Sequence, residues 1–134
     1  MKELIPFFKE VLSGQKEEVF CEETLIEEVF PHENISEKEA EKIMKEVYDQ
    51  EIPEIIAKTL EHLGYGSIIY HRKEDVWVPE YLVLATKEDK MVCLGLVVEF
   101  DYEVNQMVLL TIMRMDCSVV SVYMPYYHHV LTRF

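Results

Sequence analysis

The chain has 134 residues, 49% of them apolar and 29% charged, with only four glycines and five prolines. That suits one globular domain, is too short for two good cores, and excludes disordered, collagenous or linker-rich chains. The net charge of −13 opposes direct binding to nucleic acid or an anionic membrane and favours basic partners through long-range attraction.

Residues 2–12 carry Leu4, Ile5, Phe7, Phe8, Val11 and Leu12 before Ser13-Gly14, a spacing that predicts a short amphipathic helix with a glycine stop. Residues 16–30 repeat the theme with Val19, Phe20, Leu25, Ile26, Val29 and Phe30, ended by Pro31. A second helix is expected there, with Glu22, Glu23, Glu27 and Glu28 on its solvated face. Ser36-Glu37-Lys38-Glu39 matches a capping box. It opens a third helix whose stripe is Ala40, Ile43, Met44, Val47 and Tyr48. Pro53 lacks an N–H and clashes with the preceding turn. A break is therefore expected near residues 50–52, with a fourth helix carrying Ile55, Ile56, Thr59, Leu60 and Leu63 up to Gly64.

From Tyr65 the period changes to that of strands: residues 67–71, 76–86, 91–101, 106–115 and 119–123, with a tail from Met124 that could add another. Lys87-Glu88-Asp89-Lys90 predicts a hairpin turn, and Pro79 puts the second of these strands at an edge or a bulge. Val92, Leu94, Leu96, Val98 and Phe100 form one wholly apolar face of the third strand and must be core. The fourth is apolar on both faces, with Val108, Leu110 and Ile112 on one and Met107, Leu109, Met113 and Met115 on the other. Its second face needs a cover from helices or from a partner, and a homodimer through the sheet is one expectation. The fold class is thus α+β: about four short N-terminal helices (residues 1–64, acidic) packed on an antiparallel β-meander of about five strands (residues 65–134), in a single domain.

The acids are concentrated in the helical half: residues 1–66 hold 17 against seven lysines. No stretch approaches the ~20 apolar residues that span a bilayer. The start, Met1-Lys2-Glu3-Leu4-Ile5-Pro6, lacks the pattern of a signal peptide. Cys21, Cys93 and Cys117 are an odd set without tight spacing, expected as buried free thiols in a reducing compartment. A cytoplasmic location follows from these expectations.

Catalytic signatures are weak. The four glycines form no phosphate loop and no Gly-x-Ser-x-Gly elbow, so no cofactor is expected. His128-His129 are adjacent and would point to opposite sides of a strand, a poor metal pair. Asp75 with Glu88, Asp89 and Lys90 has the residue types of a metal-dependent nuclease, yet a charged turn explains it better. His71-Arg72-Lys73 reads as a charged loop. Cys93 and Cys117 are better packing residues than nucleophiles.

Tyrosine and tryptophan, by contrast, concentrate in the second half, a composition typical of interface anchors. The sequence therefore favours a non-enzymatic protein-binding role. In that reading an inhibitor or immunity-type protein masks a basic, nucleic-acid-handling partner. The contact residues would be Glu22, Glu23, Glu27, Glu28, Tyr81, Tyr126 and Tyr127. A dimeric secretion-type chaperone or adaptor is the alternative, and a small metal-dependent nuclease the third.

Overall fold

The computed structural model describes residues 4–21, 36–72, 80–101, 106–116 and 128–131. Their elements run α1 (Ile5–Ser13), β1 (Glu18–Cys21), α2 (Glu37–His62), β2 (Gly66–Arg72), β3 (Glu80–Lys87), β4 (Lys90–Asp101), β5 (Gln106–Met115) and β6 (His128–Leu131). The fold is α+β: an antiparallel sheet in the order β1-β5-β4-β3-β2-β6, with helices on one face. Strands β2 to β5 form the expected meander. One strand from each end of the chain extends it, β1 beside β5 and β6 beside β2.

The described residues contain two helices rather than four. The expected break at Pro53 does not occur, because Pro53 lies inside the 26-residue α2. Proline removes one helical hydrogen bond, but Ile52, Pro53, Ile56, Thr59 and Leu60 are buried around it, and that burial holds the helix through the defect. Thr59 satisfies its buried hydroxyl by donating to the Ile55 carbonyl at 2.8 Å. The expected helix over 16–30 is also corrected at its start: Glu18–Cys21 is a strand registered on β5, Val19 opposite Ile112. Residues 22–30 lie outside the described residues, as do the side chains of Ala40, Ile43, Met44, Val47 and Tyr48.

The helix ends follow the local chemistry. Ser36 accepts from the Glu39 backbone N–H at 3.2 Å, one half of the capping box. At the other end Gly64 takes φ +85°, its N–H bonds the Glu61 carbonyl, and the Tyr65 N–H bonds the Leu60 carbonyl, both at 2.9 Å. This is the Schellman arrangement, which needs a left-handed residue.

The helix-side core joins Leu4, Phe8, Val11 and Leu12 of α1 and Ile52, Ile56 and Leu60 of α2 to the sheet. From β4 it takes Val92, Leu94, Leu96 and Val98, as the alternation predicted, and from β5 Leu110 and Ile112. The opposite face holds a smaller cluster of Tyr70, Leu82 and Cys93, with Ile68, Leu84 and Met115 packed against it.

β3 and β4 are joined by the two-residue turn Glu88–Asp89, with Lys87 opposite Lys90. Glu88 is at φ 55°, which matches the twist of a tight hairpin. β3 is an interior strand, which removes the edge that was one of the two expectations from Pro79; the other, a bulge at Pro79, falls in residues 73–79, outside the described set. The pairing of β4 with β5 shifts register between Glu99 and Phe100. The strand expected over 119–123 lies outside the described residues, while the tail supplies β6.

Among the described residues, no helix is long and apolar enough to cross a membrane.

Candidate functional site

Of the residues read as nuclease-like, three are described, all at the β3–β4 hairpin. Glu88 and Asp89 are exposed in the hairpin turn, and Asp75 lies outside the described residues. Lys90 turns toward the helix side, its Nζ 3.5 Å from the Leu12 carbonyl. No three metal-binding side chains come together among the described residues.

Of the basic cluster, His71 and Arg72 belong to β2 rather than a loop, and Lys73 lies outside the described residues. His71 is buried, its ring stacked on Tyr81 with centroids 4.5 Å apart and 18° between planes. Arg72 pairs with Glu80 of the facing strand at 3.4 Å. His128 and His129 lie in β6, opposite His71 and Tyr70.

Of the expected contact residues, Tyr81 is described, and it is 1% exposed within the core; its ring is spent on packing and on His71. Glu22, Glu23, Glu27, Glu28, Tyr126 and Tyr127 lie outside the described residues. Cys21 is buried and forms no disulfide bond. Cys93 is not free: it is disulfide-bonded. Cys117 lies outside the described residues. The cysteine pattern thus loses its value as an argument for a reducing compartment.

Acidic side chains are exposed on several elements: Glu17 and Glu18 at β1, Glu39, Glu51, Glu54 and Glu61 along α2, and Glu99 on β4. Glu54 pairs with Lys58 at 2.8 Å, and Glu10 of α1 pairs with Lys16 at 3.3 Å, both facing solvent. Pairs this exposed contribute little stability, and on α2 the exposed carboxylates are accompanied by the exposed Lys38, Lys42 and Lys58.

Several described bases are instead turned toward the helix layer. Arg114 Nη1 donates to the Val11 and Leu12 carbonyls at 2.9 and 3.1 Å. Lys87 sits over the Tyr65 ring, 5.4 Å from its centroid.

Sequence reasoning missed one prominent residue. Phe20 was assigned to the apolar stripe of a helix, yet in β1 it is 57% exposed. The signal was the alternation Glu18-Val19-Phe20-Cys21 with burial out-in-out-in, hidden inside a longer run that also satisfied a helical period.

No protein-family model matches the chain, and no curated protein or solved structure matches it either.

Proposed function

We propose that this is a protein-binding protein, an inhibitor or immunity-type partner that masks a basic, nucleic-acid-handling surface. The observation that carries the reading is the net charge of −13, with 17 acids in residues 1–66. Such a charge raises the encounter rate with a basic protein and competes with phosphates for the same cationic groups. Glu22, Glu23, Glu27 and Glu28 are the first carboxylates assigned to that contact, with Tyr126 and Tyr127 as aromatic anchors. The reading places the protein in the cytoplasm; the Cys93 disulfide is the observation that opposes that compartment.

The test is affinity capture from lysate of the source cell, with washes at low and then moderate salt. Each captured basic enzyme is then assayed with and without the protein. A stoichiometric partner whose nucleic-acid activity is suppressed, and whose association slows when Glu22, Glu23, Glu27 and Glu28 become lysines, is the expected result. Unchanged association rate and salt dependence in that variant would refute the acidic-contact mechanism.

A further inference from the structure

The two large apolar side chains most exposed among the described residues, Phe20 at 57% and Met91 at 53%, share one sheet face. Side chains alternate along a strand, and the register fixes the side. Val19, Leu110, Leu94 and Val83 point into the helix-side core, so Phe20, Met113, Gly95 and Leu82 take the opposite face.

Two methionines connect the exposed pair. Met113 lies opposite Glu18 and Met115 opposite Cys93, which makes Met113 a diagonal neighbour of Phe20, and Met115 of Met91. Both thioethers lie over Gly95: a Cβ built there would meet Met115 Sδ at 2.8 Å and Met113 Cε at 3.7 Å. The result is an oblique apolar stripe, Phe20–Met113–Met115–Met91, about 20 Å long from the rise per residue of a strand. Unbranched thioethers reshape easily to fit a partner, which is why methionine recurs on binding surfaces.

Carboxylates lie near the stripe's Phe20 end. Glu18 and Glu99 are exposed on this face, and Arg72 there is engaged by Glu80. Arg114 donates to α1 carbonyls on the other side, where Lys90 Nζ also lies 3.5 Å from the Leu12 carbonyl. A sheet face of this kind takes a helix, as the opposite face takes α1 and α2. A second copy would set Glu18 and Glu99 against a chain that itself carries −13.

We propose that this stripe docks an amphipathic helix of a partner protein, of about 13 residues at 1.5 Å rise, with an apolar face flanked by Lys or Arg. The inference rests on the preceding reading that the partner is basic.

The probe is a fluorescein-labelled Leu/Lys amphipathic peptide of about 14 residues, titrated with the full chain and followed by anisotropy at about 20 mM salt. Phe20→Ser/Met113→Ser is expected to weaken binding about tenfold or more, and Phe20→Ser alone, at a largely exposed position, to weaken it severalfold with the unfolding midpoint retained. Two charge-matched variants locate the electrostatic part. Glu18→Lys/Glu99→Lys should weaken binding severalfold more than Glu51→Lys/Glu61→Lys on α2, although both change net charge equally. If Phe20→Ser/Met113→Ser binds as wild type while both charge variants weaken alike, the stripe is overturned and the basic-partner reading stands. If the wild-type chain binds no peptide, both fail. A wild-type dimer in sedimentation that Phe20→Ser dissociates would assign the face to a second copy and overturn the proposal.

Discussion

Arg114 connects the last turn of α1 to β5, and its replacement gives a direct measure of how firmly the N-terminal helix is held to the sheet. The final carbonyls of a helix have no partner within it, and here Nη1 donates to those of Val11 and Leu12 at 2.9 and 3.1 Å. The same residue's backbone N–H donates to the Glu17 carbonyl at 2.7 Å, where the chain enters β1. A hydrogen bond from a charged donor contributes about 1.5–3 kcal/mol when sheltered, and a cation at a helix C-terminus adds about 0.3–1 kcal/mol. Arg114 is exposed overall, so solvent screening brings the expectation for Arg114→Met down to about 1–2 kcal/mol. Methionine keeps most of the stem while removing charge and fork. Urea unfolding followed by circular dichroism should show the midpoint falling with unchanged slope, and a melting temperature lower by about 3–8 °C. Arg114→Lys, which keeps the charge without the planar fork, should fall between. A loss within about 0.5 kcal/mol, the scale of an ordinary surface substitution, would refute the capping role.

Three further outcomes follow from packing, backbone and thiol chemistry. Ile56→Ala, at a fully buried position of α2, should cost about 2–5 kcal/mol, whereas Met91→Ala, at an exposed one, should stay within about 0.5 kcal/mol; equal losses in urea melts would contradict the assigned faces. Gly64→Ala forces a side chain to φ +85° with its Cβ 3.3 Å from Lys87 Nζ, and should lose about 1 kcal/mol, with no loss counting against the Schellman end of α2. Alkylation of the unfolded, unreduced chain, mapped by mass, should label Cys21 and not Cys93, with all three cysteines labelled after reduction. Three thiols without reductant would remove the Cys93 disulfide and restore the case for a reducing compartment.

Short-range chemistry is what the sequence determined by itself. The glycine stops after α1 and α2, the Ser36 cap, the turn at Glu88–Asp89 and the apolar alternation of β4 are read from residues within a few positions of one another, and each has its counterpart in the structure. The class α+β follows, since a helical period in one half and a strand period in the other leave few alternatives.

What depends on distant residues was not legible. Glu18–Cys21 is a strand because β5 offers it an edge almost a hundred positions away, and four residues cannot outvote a longer helical pattern when read locally. Pro53 stays inside α2 because burial of Ile52, Ile56 and Leu60 against the sheet outweighs one lost hydrogen bond. Tyr81 resembles an interface anchor by composition, and only the interior position of β3 makes it core. The second apolar face of β5 was visible in the sequence as a pattern needing a cover. That Phe20 and Met91 lie exposed on that same face was set by strand order and register, which arise from the assembly of the whole sheet rather than from any one segment.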